Sequence, residues 1–480
     1  MAKKLRLLLL IPLAYLLINA YLLIQVYLSG QQYYQLLMNH SQNQEIIQET
    51  AKKIDKNYQK ISKIIKKIIL KDWATDLDLI VRSLAQQDHH VLLLLQNSDE
   101  LRATGGFLGS YSRLDIKQGY IELDRIHDIY EVAGQQRYFP TAPSAYSLYL
   151  GEHPGLALQD ANWNPDLANS AQDILEIWQD INNSSPYINE ADFDHVIFIN
   201  SQLIEEVLAA VGPLALSDYA MTINADNFTE LARAGRSDFF AGSTEKADFL
   251  DHFKNTLINQ LSQLSLDQQL ELAKLILDSA RRKNIQFYSS DPQLEAVWQE
   301  HSWAGQMRTG PVDSFYFYSI ESNVGINKAN RLVDRSLTFY QTGGQIDQIR
   351  LSFDNYNQAP GQFNDNPDLQ VADHLAYINY QRLYFAPQVK IKTVLDGQGK
   401  NLDFSTQPFF DHNGQEFLEL SFLIDLAEQS HQDIDIAINS EQVGQQLYIQ
   451  KQSGIDQFTV KLINNNQEQK RWTISSDQLQ

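Results

Sequence analysis

The stretch HHVLLLLQNSDELRATGGFLGSYSRLDI, residues 89–116, combines three patterns within 28 residues. Its apolar run at residues 91–95 is continuous, and such runs are typical of a strand buried on both faces of an α/β sheet. The second half alternates apolar and polar residues, which predicts a hairpin of residues 108–116 and 120–126 turning at Gln118-Gly119. We therefore expect a buried central strand followed by a hairpin.

Between these strands lies NSDELRATGGFLGSY, residues 97–111, here called the charged turn. One interpretation is a ligand-binding loop, because binding sites favour loops at strand ends. The other is structural: Arg102 pairs with Asp99 or Glu100, Asn97 satisfies backbone amides, and the glycines allow positive φ or a close backbone approach. The ligand-loop interpretation selects seven residues of this turn as candidates: Asn97, Asp99, Glu100, Arg102, Thr104, Gly105 and Gly106.

The rest of the chain divides into two parts with different patterns of apolar and polar residues. Strands and helices alternate over residues 73–330, with a helix capped by Asn164 or Asp166 and another ending at Gly212. This alternation predicts an α/β or α+β domain in which helices cover a central sheet. Residues 331–480 instead alternate apolar and polar side chains with period two between turn residues, which predicts an antiparallel β-sandwich.

The first 30 residues predict a membrane anchor. Residues 7–28 form an apolar run broken only by one Asn and one Gln, which is long enough for a spanning helix. Lys3, Lys4 and Arg6 precede the run and favour a cytoplasmic N-terminus. Because a cleaved signal peptide would have a shorter apolar region and a small-x-small exit, we expect residues 1–30 to be an uncleaved signal-anchor. The chain would then be a single-pass protein of the cell membrane with an extracytoplasmic body.

Residues 31–72 predict a helical stalk. Ile47, Ile54, Ile61 and Ile68 repeat every seven residues, and lysines occupy many of the positions between them. The alternative is a basic amphipathic helix that lies on an anionic membrane surface.

Composition limits the function classes. The chain has no cysteine, which excludes disulfides, Cys-ligated zinc and thiol catalysis. Residues 1–71 carry 11 basic and 3 acidic side chains, whereas residues 72–480 carry 27 basic and 56 acidic ones. A body this acidic argues against a nucleic-acid partner. The sequence also lacks a His-Glu-x-x-His motif, a Walker loop, a dinucleotide loop and a Gly-x-Ser-x-Gly elbow, so we assign no catalytic or metal-ligating residue.

Five motifs resemble a bacterial envelope family of unknown function, family 4012. The resemblance extends in order over residues 73–460 and implies a single-pass anchor with an extracytoplasmic body, but no established activity. The motifs are LLLLQNSDELRATGGFLGSY (residues 92–111), DANWNPDLANSA (160–171), FDHVIFINSQLIEEVLAAVGPL (193–214), NVGINKANRLVDR (323–335) and YIQKQSG (448–454).

The order of parts is also similar to that of LytR-CpsA-Psr proteins, which attach polyprenyl-linked polymers to the bacterial wall. That family has an anchor, a strand ending in a polar Asp/Arg turn, and a later strand-helix unit. The resemblance implies arginines that hold a pyrophosphate, with a divalent cation as cofactor. The Arg-Gln pair of that family is absent, and STEKAD stands in its place. The basic side chains that could serve are Arg102, Arg125, Arg233, Arg236 and Lys246.

Two hypotheses follow for function. The first is a non-catalytic envelope protein that binds or presents wall glycopolymer or a partner protein. The alternative is a phosphotransferase of the LytR type, acting on a polyprenyl-phosphate-linked polymer. The enzyme requires several arginines around one phosphate pair, so the two hypotheses differ in whether those side chains converge.

Overall fold

The computed structural model describes residues 76, 79–80, 83, 88–117, 120–151, 153–188, 192–228, 244–311, 314–358, 375–440, 443–444 and 446–479. The predicted anchor and stalk, the turn at Gln118-Gly119, and Arg233 and Arg236 lie outside these residues. Within these ranges, no helix is both long and apolar enough to cross a membrane.

A mixed six-stranded sheet forms the centre of the α/β part. Its strands run in the order β3-β2-β1-β5-β8, with β4 also paired to β2. β1 is antiparallel to β2 and parallel to β5, and β5 is antiparallel to β8. A separate two-stranded sheet pairs β6 with β7. The strands are β1 (His89–Asn97), β2 (Phe107–Lys117), β3 (Tyr120–Leu123), β4 (His127–Asp128), β5 (His195–Asn200), β6 (Leu214–Leu216), β7 (Met221–Ile223) and β8 (Ile285–Ser289).

Helices cover both faces of this sheet, as the continuous apolar run of β1 predicts. Leu92 and Leu94 point into one apolar core, whereas Val91 and Leu93 point into another on the opposite face. The first core is closed by α3, and the second by α4 to α7. The helices are α1 (Tyr130–Ala133), α2 (Ser144–Tyr149), α3 (Leu167–Ser184), α4 (Ser201–Val211), α5 (Thr244–Leu261), α6 (Leu266–Arg281) and α7 (Pro292–Glu300).

The predicted helix ends are confirmed where the sequence signals them. Asp166 caps α3 and accepts a hydrogen bond from the N–H of Asn169. α4 ends at Gly212, whose φ of +86° is readily available only to glycine. Asn200 caps the start of α4 and is itself the last residue of the buried strand β5.

The second half of the chain forms a β-sandwich of two six-stranded sheets, β13-β16-β11-β10-β18-β19 and β14-β15-β12-β9-β17-β20. An apolar core fills the space between them, where the rings of Phe317 and Phe339 lie 5.1 Å apart. The strands are β9 (Ser314–Ile320), β10 (Val333–Thr342), β11 (Gln345–Asn355), β12 (Tyr377–Phe385), β13 (Lys390–Asp396), β14 (Phe404–Phe410), β15 (Glu416–Leu426), β16 (Ser430–Asn439), β17 (Gln446–Gln450), β18 (Phe458–Asn464), β19 (Gln467–Ile474) and β20 (Gln478–Leu479).

Two features of the sandwich differ from the prediction. The predicted boundary at residue 331 falls inside it, since β9 is an interior strand of the second sheet and ends at Ile320. The sandwich is also not purely antiparallel, because β9 pairs in parallel with β17 and β10 in parallel with β18. Strands β17 and β18, which follow β11 to β16 in the chain, therefore run in the same directions as β9 and β10, with which they pair.

The outer face of the second sheet is covered by the α/β part. Tyr316, Tyr318 and Tyr384 are buried there with Ala103 of the charged turn and Met307. The charged turn is therefore held between the two halves of the molecule.

Candidate functional site

Arg102 is the centre of the charged turn and is almost completely buried, at 1% exposure. Its Nε donates to Asp160 Oδ1 at 2.9 Å, its Nη2 to Glu100 Oε1 at 3.0 Å, and its Nη1 to the carbonyl oxygen of Asn323 at 2.7 Å. Burial alone would lower the pKa of Arg102, but the charges of Asp160 and Glu100 outweigh it and raise that pKa above its ordinary value. Each of the three guanidinium nitrogens thus donates to the protein, and the pairing with Glu100 agrees with the structural interpretation of the turn.

The backbone of the charged turn is bonded to the sandwich. The carbonyl oxygen of Leu101 accepts from the N–H of Asn323 at 2.9 Å, and the N–H of Leu101 donates to Asn330 Oδ1 at 3.2 Å. The N–H of Asn330 donates in turn to the carbonyl oxygen of Asp99 at 3.2 Å. We call this set of contacts between the charged turn and the sandwich the junction.

Glycines allow two segments of the junction, the charged turn and the segment that contains Gly454, to approach each other closely. Gly105 has φ +130°, and a Cβ placed there would lie 2.4 Å from Ser453 Oγ. A Cβ on Gly454, at φ +81°, would lie 2.1 Å from the carbonyl oxygen of Gly105. Beside them, Gln452 Nε2 donates to the carbonyl oxygen of Arg102 at 3.1 Å. Both glycines are thus required for close approach as well as for conformation.

The remaining candidates of the charged turn have local partners. Asn97 Oδ1 accepts from the N–H of Asp99 at 3.2 Å. Asn97 therefore satisfies a backbone amide, as the structural interpretation predicts. Thr104 Oγ1 and the carbonyl oxygen of Gly106 both accept from Asn162 Nδ2, at 2.9 and 2.7 Å. These side chains fix the turn against the segment that precedes α3.

The basic side chains that the phosphotransferase alternative requires do not converge among the described residues. Arg125 lies between β3 and β4, is 44% exposed and pairs with Glu131 at 3.3 Å, sharing no partner with Arg102. Lys246 lies in the first turn of α5. The ligand-loop interpretation also needs accessible charges, whereas Asp99, Glu100 and Arg102 are all buried.

Two buried lysines extend the junction. Lys283 Nζ lies 2.9 Å from both Asp477 Oδ1 and the carbonyl oxygen of Lys451. Lys451 Nζ donates to the carbonyl oxygens of Arg282 and Gln452 at 2.9 and 3.1 Å. Burial and the neighbouring charge of Lys283 lower the pKa of Lys451 to about 7. A neutral amine has two N–H groups, and these two carbonyls can accept from both of them.

Sequence reasoning did not select the partners that complete the junction. Asp160, Asn323, Asn330 and Gln452 come from three distant segments of the chain, each of which is one of the quoted motifs. The available signal was an unusual density of amide side chains in these segments. Such side chains both donate and accept, so they suit a buried polar contact between two halves of a molecule.

A cleft of about 360 Å³ opens beside the junction. One wall comes from the charged turn and the first turn of α4, and the other from the sandwich. Gln202 joins the walls, because its Oε1 accepts from Ser98 Oγ at 2.9 Å and its Nε2 donates to the carbonyl oxygen of Gly454 at 3.0 Å. The lining residues are Ser98, Asp99, Leu101, Ser201, Gln202, Glu205, Asn330, Arg331, Val333, Asp334, Arg335, Gly454, Ile455, Asp456 and Gln457.

The charged side chains in the lining of the cleft are mostly acidic. Asp99, Glu205, Asp334 and Asp456 supply four carboxylates against the guanidinium groups of two arginines. One of the two, Arg335, is already paired within the protein, since its Nε lies 2.7 Å from Glu321 Oε1. In the described part of the chain, no three acidic or histidine side chains are arranged to hold a metal ion.

Comparison with known proteins gives one family. Residues 86–235 match the model described as protein of unknown function (DUF4012). The match includes the charged turn, Asp160 and the start of α4, but is shorter than the expected extent of residues 73–460. No curated protein matches the chain.

Proposed function

We propose that this member of the DUF4012 family is a membrane-anchored, extracytoplasmic protein of the bacterial envelope that binds wall glycopolymer or a partner protein without catalysis. The apolar run at residues 7–28, preceded by basic residues and followed by an acidic body, supports the location. The observation that carries the binding function is the cleft, whose two walls are joined by the family motifs.

The junction gives the cleft a fixed shape. Asp99, Leu101 and Asn330 line the cleft and are bonded to one another across it, so its walls cannot separate without breaking buried hydrogen bonds. Breaking such bonds leaves buried polar groups unsatisfied, which costs about 1–3 kcal/mol for each group. A cleft that is already formed binds without a large ordering cost.

The charges favour binding over phosphoryl transfer. A phosphotransferase of the LytR type needs arginines around a pyrophosphate. Arg102 is instead buried and paired with Asp160 and Glu100, and Arg125 pairs with Glu131 elsewhere. The cleft itself presents more carboxylates than guanidinium groups, which disfavours a dianionic ligand.

The proposal is tested with the full-length chain in detergent and wall sacculi of the organism that encodes it. Sacculi treated with hot detergent and protease keep their glycopolymers but lose their proteins. Charge reversal at the exposed rim, Arg331→Glu or Asp456→Arg, should reduce retention on these sacculi, whereas the control Asp403→Arg, which lies outside the cleft, should not.

The outcomes separate the candidates. Retention only on sacculi that still carry proteins would favour the partner protein. Turnover of a polyprenyl-pyrophosphate-linked polymer would favour the phosphotransferase. Equal retention of all variants would remove the cleft from the proposal.

A further inference from the structure

Two buried histidines meet at the start of β1, the end of that strand opposite the charged turn. His89 begins β1 and His195 begins β5, and His89 Nδ1 lies 2.8 Å from His195 Nε2. His195 Nδ1 lies 2.9 Å from the hydroxyl oxygen of Ser289, the last residue of β8. At the other end, His89 Nε2 lies 3.0 Å from the carbonyl oxygen of Ser83. The contacts form a continuous chain of hydrogen bonds from Ser289 to Ser83.

Only one set of proton positions satisfies this chain when both rings are neutral. The carbonyl oxygen of Ser83 only accepts, so His89 Nε2 carries the proton and His89 Nδ1 is an acceptor. His195 Nε2 then donates to His89 Nδ1, which leaves His195 Nδ1 to accept from the hydroxyl of Ser289. Ser289 Oγ in turn accepts from the N–H of Asp291 at 3.0 Å. Every ring nitrogen of the neutral pair therefore has a partner.

Burial disfavours protonation of this pair. His89 is 3% and His195 is 8% exposed, and both point to the same face of the sheet as Val91 and Leu93, which belong to an apolar core. One added proton leaves a charge without water, and a second sets two N–H groups against each other across 2.8 Å. Burial and the neighbouring His89 lower the pKa of His195 to about 3, and the attraction of Asp291 does not offset them.

The residues that precede β1 lie against the same face of the sheet. We call residues 76–83 the entry segment, because they lead from the predicted stalk into the body. Ile80 is 2% exposed and belongs to the same apolar core as Val91. Asp76 Oδ2 lies 3.0 Å from His301 Nε2, directly after α7, and Ser83 supplies the carbonyl at the end of the histidine chain. The histidine pair is thus bonded to the part of the chain that connects the body to the predicted anchor.

We propose that the His89–His195 pair is an acid-sensitive latch, which holds the entry segment on the body at neutral pH and releases it at acid pH. An imidazolium group needs water, and displacement of the entry segment supplies it. Release adds the eight residues of the entry segment to the tether, which lengthens the connection between anchor and body by up to about 25 Å. The latch does not depend on what the cleft binds.

Other titratable groups near the pair have different effects. Glu295 Oε2 accepts from the N–H of Ser289 at 2.9 Å, and burial raises the pKa of Glu295 to about 7. Its contacts are with Ser289 and Gln299 rather than with the entry segment, so release leaves its surroundings in place. Protonation of His301 would strengthen its attraction to Asp76 and oppose release. The other acids on the adjoining elements are Asp88, Asp194 and Asp291.

The test labels a single thiol in the full-length chain in detergent, since the native chain has no cysteine. Ile80→Cys places the thiol in the entry segment, and 4,4'-dithiodipyridine, which reacts at acid pH, labels it when the segment opens. Rates are divided by those of the same variant unfolded in denaturant at each pH. We expect the opening equilibrium to rise about a hundredfold from pH 7.5 to 4.5, because the released His195 ring binds a proton near 6.5 and the latched ring near 3.

Matched variants connect the rise to the latch. Ala273→Cys, buried in the same core on α6, reports opening elsewhere and should rise much less. In the Ile80→Cys background, His195→Gln removes the titrating ring and should reduce the rise to less than about tenfold. Glu295→Gln and His252→Gln, at a buried and an exposed position that do not contact the entry segment, should keep the rise.

The unaltered chain provides an independent measurement. Nitrogen NMR of the histidine-labelled chain at pH 7.5 should show His89 and His195 protonated at Nε2 only. A proton on Nδ1 of either ring would overturn the hydrogen-bond chain and with it the latch. A rise that His195→Gln leaves unchanged, a rise that Glu295→Gln abolishes, or an equal rise at Ala273→Cys would overturn the latch as well.

Discussion

Asp160 Oδ1 accepts a hydrogen bond from Arg102 Nε at 2.9 Å, across 58 residues of chain, and both side chains are buried. Glu100 holds the other end of the same guanidinium group at 3.0 Å. Removing one member of such a buried cluster leaves the other charges unpaired, which is strongly destabilising. This relationship places Arg102 in the structure of the junction, and the following predictions start from it.

Arg102→Ala should lower the free energy of unfolding by about 3–5 kcal/mol, because it leaves Asp160 and Glu100 as buried, unpaired charges. Arg102→Lys should recover only part of this loss, since a single ammonium group cannot reproduce the two-sided contact. Chemical unfolding of the purified chain measures both values.

Arg125→Ala is the matched control for this change. It removes an exposed pair with Glu131 and should cost less than about 1 kcal/mol. Equal effects of the two alanine variants would contradict the structural role of Arg102.

Gly105→Ala should destabilise the chain more than an alanine at another glycine with positive φ. The new Cβ would lie 2.4 Å from Ser453 Oγ, so the two halves of the molecule would have to move apart. Gly399→Ala, at φ +80° with open space around its Cβ position, isolates the cost of conformation alone. Thermal melts measure both variants. Equal melting temperatures would show that the close approach at Gly105 does not contribute to stability.

His195 should make stability fall at acid pH. Its ring bonds to His89 Nδ1 at 2.8 Å and to Ser289 Oγ at 2.9 Å, and burial together with the charge of His89 lowers its pKa to about 3. Since the unfolded chain takes up this proton near the ordinary value of 6.5, stability is lost as pH falls from about 6.5 toward 3.

The measurement compares unfolding free energies of the native chain and of His195→Gln at pH 7 and pH 4.5. The variant should lose less stability between the two pH values. His252→Gln changes an exposed histidine on α5 and should behave like the native chain. Identical acid sensitivity in all three proteins would refute the assignment.

Lys451 predicts a dependence of the same sign at alkaline pH. Because its pKa is about 7 in the folded chain and 10.5 ordinarily, the unfolded chain holds more protons over that interval, and stability should rise with pH from about 7 to 10. Lys451→Met removes the titrating group and should flatten the rise, as measured by unfolding at pH 7 and pH 9. Lys400→Met, in an exposed turn, should keep the native slope.

The proposed membrane anchor and its orientation are tested by a reporter fused after residue 480. The basic residues before the apolar run predict that the reporter is active only outside the cytoplasm. Cytoplasmic activity, or a mature chain that begins near residue 30, would contradict the signal-anchor.

Sequence alone determined the local elements and the division of the chain into an α/β part and a β-sandwich. The apolar run of β1 and the signals at Asp166 and Gly212 act within a few residues, so their periodicity and capping chemistry can be read directly. The same local reading misplaced the start of the sandwich. β9 is an interior strand and nearly all buried, so it lacks the alternation that identified the later strands.

Only the tertiary structure decided what the charged turn does. The residue types in NSDELRATGGFLGSY fit a ligand loop and a structural turn equally well, because a carboxylate, an amide or a guanidinium group can bond to a ligand or to the protein. Asp160, Asn323 and Gln452 reach the turn from distant segments and bond to Arg102, which supports a structural role for that side chain. The cleft also exists only where both halves meet, since its lining comes from residues more than 300 positions apart. Long-range proximity is a property of the folded chain, and no local pattern encodes it.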